Sequence, residues 1–253
     1  MMKIILRLAL LVFSLIVWFV SAFVVIIVRP FYRNNVFFIG HFLSKLSPLV
    51  NIELETRGEN NLLIGQPCVY IANHQNNFDL FTHTAMITSG TVSIGKKSLK
   101  WIPIFGQVYL LSGNILIDRI NKNKAMKSLN NALDKIKHHR LSIWLFPEGT
   151  RSKGKGLLPF KMGAFHLALD ANVPIVPVVA SSQLHIDLFG KRKTKVIVEA
   201  LPPIFPESLN KENLRHSVEI IHDNMLKVFH RLSKETEVVN QKKLPNHNDR
   251  HII

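Results

Sequence analysis

Asn73-His74-Gln75-Asn76-Asn77-Phe78-Asp79 places an imidazole and a carboxylate five residues apart, just past a short apolar run, CVYIA. On one continuous helix, at ~100° per residue, the two side chains would point about 140° apart. Fully extended, they would lie ~17 Å apart. A turn that opens a helix brings them together, with His74 on the loop, Asp79 in the first turn, and Asn76 or Asn77 as cap. Asp79 then accepts a hydrogen bond from one ring nitrogen and leaves the other as a base near neutral pH. This is the base half of a serine-protease triad without its serine, so the nucleophile would be a substrate hydroxyl. The plainer alternative is a pair of ordinary turn residues and a helix-start acid. The spacing is not the i, i+4 histidine pair of a zinc helix, so no metal is expected.

A second constellation, Phe146-Pro147-Glu148-Gly149-Thr150-Arg151-Ser152, also follows a strand-like run, LSIWLF. Gly149 permits a tight turn or a close backbone approach to a ligand. Thr150 and Ser152 offer hydroxyls, and Arg151 offers a planar fork matched to two phosphate oxygens. The alternative is a solvated loop with a local Glu148–Arg151 ion pair, worth ~0–1 kcal/mol. Between them, residues 95–119 hold a basic cluster (Lys96, Lys97, Lys100), the apolar run Trp101-Ile102-Pro103-Ile104-Phe105, and Arg119 after a probable strand. The apolar run suits a lipid or acyl chain, though packing in a core is the default. Arg119 and Arg151 converging on one phosphate would explain why both are arginine.

These loops need a scaffold. Strand-length apolar runs at 68–72, 91–95, 115–118, 141–146, 175–179 and 195–200 alternate with helical patterns at 80–87, 122–139, 164–171 and 214–232. That alternation predicts an α/β fold with a mostly parallel or mixed central sheet flanked by helices, its functional loops at the carboxyl ends of the strands. Pro177 inside the fifth run argues for an edge strand, a bulge or irregular pairing. The expected organisation is an N-terminal membrane-anchoring segment (1–60), the α/β domain (61–233) and a polar tail (234–253).

Residues 8–28 (LALLVFSLIVWFVSAFVVIIV) contain only Ser14 and Ser21 as clearly polar groups. As a helix they reach about 31 Å, close to the ~30 Å of a bilayer's hydrocarbon core. A cleaved signal would have an apolar region of only ~7–15 residues, so a retained membrane helix is expected. Lys3 and Arg7 before it nearly balance Arg29 and Arg33 after it, which leaves its orientation open. The stretch 36–50, broken by His41, Lys45 and Pro48, lies in the interface or closes a helical hairpin that dips into one leaflet.

The chain has 253 residues, with 47% hydrophobic and 19% charged, which excludes a disordered chain. Its formal net charge of +15 calls for anionic partners. The lone Cys68 excludes an intramolecular disulfide and cysteine-based zinc or iron–sulfur sites.

The four blocks taken together resemble the glycerolipid acyltransferase family, within it the bacterial-type 1-acyl-sn-glycerol-3-phosphate acyltransferases. They are Asn73-His74-Gln75 with Asp79, Gly113-Asn114-Ile115-Leu116-Ile117-Asp118-Arg119, Phe146-Pro147-Glu148-Gly149-Thr150-Arg151, and Val173-Pro174-Ile175-Val176-Pro177. Leu116 stands where the family usually has an aromatic. The resemblance covers residues 67–177 strongly. It implies His74 as general base with Asp79 orienting it, and Arg119, Glu148, Gly149, Thr150 and Arg151 as the pocket for the acceptor's phosphate and glycerol. Lys161, near Gly163, is assigned to substrate binding, and the fourth block lines or supports the acyl side. The implied partners are the membrane bilayer, lysophosphatidic acid, and acyl-CoA or acyl carrier protein as donor substrate, with no cofactor and no nucleic acid. The implied place is a bacterial inner membrane, with the catalytic domain facing the cytoplasm. Rival readings are the same fold acting on glycerol 3-phosphate or a lysophospholipid, and a non-enzymatic, membrane-anchored basic protein.

Overall fold

The computed structural model describes residues 2–118, 121–210 and 212–242. Helix α1 (Met2–Val28) has no glycine or proline to break it, and Pro30 follows its end. Its buried residues Leu11, Trp18, Ala22 and Ile26 form one stripe, while Phe13, Val20, Val24 and Ile27 face outward. Helix α2 (Asn35–Lys45) folds back on α1, and Trp18 Nε1–H donates to the Ile39 carbonyl at 2.9 Å. The pair forms a helical hairpin packed on the α/β domain. Near its start, Arg7 donates to Asn51 Oδ1 at 2.5 Å and to the Leu188 carbonyl. Near its end, Ala22 and Ile26 pack on Val108 of α4 (Phe105–Leu111).

The remaining chain builds a seven-stranded sheet in the order β1-β7-β6-β2-β5-β3-β4. The central strands β2 (Val69–Ala72), β5 (Ser142–Leu145) and β6 (Ile175–Ala180) are buried along their whole length. This explains why they read as continuous apolar runs. Strands β3 (Thr91–Lys96) and β4 (Ile115–Ile117) extend the parallel set, and β7 (Thr194–Ala200) runs antiparallel to β6. Helices α5 (Lys122–Lys137) and α6 (Gly163–Ala171) pack together over β4, β5 and β2, and α7 (Leu214–Lys242) packs over β6 and β7. The fold class is the α/β one expected, with a mixed sheet.

Four details differ from the sequence reading. First, Pro177 lies in an interior strand, not an edge. The β6–β7 pairing is irregular there: Ile175 bridges Ile204 while Val178 pairs with Ala200, so two residues face three. This bulge lets a residue without an N–H sit inside a sheet. Second, residues inside the expected anchoring segment form β1 (Ile52–Arg57), which joins the sheet edge parallel to β7. Third, α7 runs beyond residue 233. Thr236 is buried, Glu235 pairs with Arg57 at 2.6 Å, and Asn240 Oδ1 accepts from Lys195 N at 2.8 Å. Fourth, the helix expected at 80–87 is a single turn, α3 (Asp79–Thr82), followed by a tighter 3₁₀ turn.

Candidate active site

Strands β2 and β5 are parallel neighbours, so the loops after Ala72 and Leu145 leave the sheet side by side. Their backbones then join: Ser152 N donates to the His74 carbonyl at 2.8 Å and Lys153 N to the Gln75 carbonyl at 3.1 Å. Asn73 turns inward and ties β2 to β6 through both polar atoms, accepting from Ala180 N at 2.8 Å and donating to the Ala180 carbonyl at 2.9 Å. Asn76 Oδ1 accepts from Phe78 N at 2.8 Å, forming the turn that starts α3.

That turn brings the two chemical groups together. His74 Nδ1–H donates to Asp79 Oδ2 at 2.6 Å. The same oxygen accepts from Gln75 N at 2.8 Å and Asn76 N at 3.2 Å. The other oxygen accepts from Gln183 Nε2 at 2.9 Å. Asp79 is 5% exposed, and both of its oxygens are answered by donors. The His74 ring stacks on Phe146, centroids 4.0 Å apart, which fixes its plane. With Nδ1 engaged, Nε2 is the nitrogen left to take a proton. A second histidine, His83, lies 3.7 Å from Asp79 Oδ1 and donates from Nε2 to the Asn73 carbonyl at 2.9 Å. Burial holds its pKa below the ordinary histidine value, so it stays neutral.

A cleft of about 530 Å³ opens over this pair. His74, Asp79, Thr150, Arg151 and Lys153 form its polar part, and Ile94, Leu99, Ile102, Phe105 and Trp144 are among its apolar walls. The His74 imidazole and the Arg151 guanidinium therefore share one cavity. Arg119 lies outside the described residues; its neighbour Asp118, just past β4, sits 3.4 Å from Lys97.

Glu148 departs from its expected place. It is 3% exposed and turned inward, with Oε1 accepting from His74 N at 2.6 Å and Oε2 from Leu158 N at 2.9 Å. Two backbone donors consume the carboxylate, so it braces the histidine loop instead of forming a cleft wall. Burial outweighs those bonds and pushes its pKa up to about 7. Gly149 has φ +70, and a Cβ there would meet Lys161 Nζ at 2.9 Å. Gly149 and Lys161 thus pack on each other beside the cleft. The fourth block leads into and forms the first half of the buried strand β6, where Ile175–Pro177 pair with β2 beneath the site.

Gln183 was not among the residues singled out from the sequence. It lies in the β6–β7 connection, 1% exposed, and also receives backbone order from the site: Gln183 N donates to Gln75 Oε1 at 3.0 Å. No local motif marks it, since its partner Asp79 is 104 positions away.

A sheet whose adjacent strand ends carry this histidine–aspartate pair and arginine loop defines an acyltransferase scaffold, and the comparisons agree. The acyltransferase family model matches residues 53–181. The 1-acyl-sn-glycerol-3-phosphate acyltransferase of Escherichia coli K12 is 45% identical over 197 residues, covering 78% of this chain and 80% of that one. The enzyme of the same name from Haemophilus influenzae Rd is 43% identical, covering 80% and 85%. The crystal structure of the 1-acyl-sn-glycerophosphate (LPA) acyltransferase from Thermotoga maritima has the same fold, with a TM-score of 0.67 at 20% identity, over 94% of this chain and 97% of that one. The chain belongs to the acyltransferase family.

Proposed function

We propose that this chain transfers a fatty acyl group from acyl-CoA or acyl carrier protein to the sn-2 hydroxyl of lysophosphatidic acid, giving phosphatidic acid. The observation that carries the reading is the 2.6 Å His74–Asp79 hydrogen bond at a cleft that also holds Arg151 and an apolar wall. The names of the bacterial relatives support the acceptor.

Arg151 grips the acceptor's phosphate, with Arg119 as its expected second guanidinium. The acceptor's hydroxyl lies against His74 Nε2. As the hydroxyl oxygen attacks the thioester carbonyl carbon, Nε2 takes its proton, and Asp79 stabilises the imidazolium through Nδ1. Collapse of the tetrahedral intermediate breaks the carbon–sulfur bond, and the proton passes to the leaving thiolate. The products are an ester and a free thiol. Proton transfer by a placed base contributes ~10²–10⁴ in rate, and co-location of two bound substrates supplies much of the rest. The apolar walls accept an acyl chain. Every step is carried by side chains and the two substrates, so the reading calls on no cofactor.

The hairpin keeps the cleft at the lipid surface. α1 is the one described helix long and apolar enough to cross a membrane. It also touches the domain along its length, through Arg7, Leu11, Trp18 and Ile26. A perpendicular crossing would carry the α/β domain into hydrocarbon, so α1 lies against one leaflet with its outward face in lipid. The +15 charge favours the anionic cytoplasmic leaflet of a bacterial inner membrane.

The test is thiol release by the purified chain in detergent, with lysophosphatidic acid, glycerol 3-phosphate or a lysophosphatidylcholine as acceptor and each thioester as donor. Lysophosphatidic acid is expected to be the preferred acceptor, and His74→Ala to abolish turnover. Equal or better use of another acceptor rejects the proposal.

A further inference from the structure

The segment between β3 and α4 displays side chains that a soluble surface would bury. Trp101 is 75% exposed, Ile104 53% and Ile102 45%. Lys96, Lys97 and Lys100 surround them, and the Lys100 ammonium sits 4.4 Å from the Trp101 ring centre. Ile104 holds φ +63, a conformation that β-branched residues rarely adopt and that persists only when the surroundings enforce it. The enforcement is visible. A Cβ on Gly106 would meet the Leu99 and Lys100 carbonyl oxygens at 2.6 Å, and one on Gly95 would meet Tyr109 Oη at 2.5 Å. The segment is seated tightly on α4, so its isoleucine and indole are held outward as a rigid projection.

This projection continues the apolar hairpin. Phe105, directly after Ile104, packs in the cluster of Trp18 and Leu43, and Val108 packs on Ala22 and Ile26. It also forms part of the cleft, since Leu99, Ile102 and Phe105 line it together with His74. Exposed indole and isoleucine ringed by lysines match the headgroup region of an anionic bilayer, where tryptophan sits at the interface and lysine stems reach up to phosphates.

We propose that residues 97–104 form an interfacial wedge that enters the headgroup layer of an anionic bilayer beside α1 and opens the cleft toward membrane-resident lipid. The proposal rests on the reading of α1 as a membrane-facing helix and adds a second, separate contact. Each lysine contributes on the order of fivefold to partition onto an anionic surface.

The chain has three tryptophans, of which Trp18 and Trp144 are each 3% exposed, so Trp101 reports on the wedge. Full-length protein is bound to vesicles of phosphatidylcholine and phosphatidylglycerol brominated high on the acyl chains. The emission of Trp101→Phe is subtracted from that of the unaltered chain. Loss of most of the Trp101 share is expected. Lys97→Gln with Lys100→Gln should raise KM several-fold for lysophosphatidic acid presented in anionic vesicles and leave kcat in detergent unchanged. An unquenched Trp101 in vesicle-bound protein overturns the wedge while leaving the α1 anchor standing. So does a rise confined to the KM of the acyl donor, which would assign the surface to that substrate. Quenching without any acyl transfer by the unaltered chain would keep the wedge and reject the proposed reaction.

Discussion

Asp79→Asn separates the charge of the carboxylate from its hydrogen bonds. Asp79 Oδ2 accepts from His74, Gln75 and Asn76, and Oδ1 accepts from Gln183. An asparagine oxygen placed at the Oδ2 position keeps the first three bonds, including the one that sets the His74 tautomer. Its amide then faces Gln183, whose Oε1 is buried without a partner among the described residues and accepts once the Gln183 amide turns over. The variant therefore folds, with a stability loss of about 1 kcal/mol for one rearranged hydrogen bond. What it lacks is a negative charge beside the imidazolium formed during transfer. At an effective dielectric of ~20 and a charge separation of about 4 Å, that interaction is worth about 4 kcal/mol. kcat should fall by about 10²–10³ with KM for the acceptor nearly unchanged. Asp79→Ala is the contrast: it leaves four donors unanswered and should lose several kcal/mol of stability as well, at about 1–3 kcal/mol per unsatisfied group. The assay is thiol release alongside urea unfolding of both variants. An Asp79→Asn enzyme within about threefold of full kcat would refute the role of Asp79 as the ionised partner of His74.

Gln183→Met removes one charge-assisted bond to Asp79 with little change of volume, and should lower kcat about tenfold while KM holds; an unchanged kcat would remove Gln183 as a support of Asp79. Glu148 has its folded pKa raised to about 7, so its contribution to stability is fully present below the unfolded carboxylate value and is lost as pH rises through about 7. Unfolding free energies from urea titrations across that window should fall with a slope of up to about 1.4 kcal/mol per pH unit, and Glu148→Gln should flatten it. An identical slope in the variant removes Glu148 as the cause. Burial raises the Cys68 thiol to about 11, so a maleimide should label it only after unfolding, and rapid labelling of the native chain would contradict the packing of β2.

The blocks after β2 and β5 were legible because chemistry concentrates where buried strands end, and a run such as SIWL or VYIA is too apolar to be anything but interior. The His74–Asp79 contact was legible for the same local reason: a turn held by Asn76 closes five residues, although Phe78, with no side-chain cap bond, stands at the N-cap of α3. β1 was not legible, because IELETR lies at a sheet edge where its charges face solvent and Lys195 and Arg57 pair with Glu55. The extension of α7 has no local signature, because Arg57 and Glu235 are distant in sequence and each looks like an ordinary surface charge. Pro177 pointed to an edge because composition alone does not reveal a bulge that spares the missing N–H.

The order of residues by itself determined the strand-and-helix alternation, the apolar N-terminal helix and the pairing of His74 with Asp79, since each depends on neighbours within a turn or a strand. Only the tertiary structure decided that Glu148 braces the His74 loop, that Gln183 holds the far side of Asp79, and that Trp101 projects outward beside α1. Those are contacts between segments far apart in the chain, set by which strands lie adjacent and which donors burial leaves to be answered, and no local pattern encodes them.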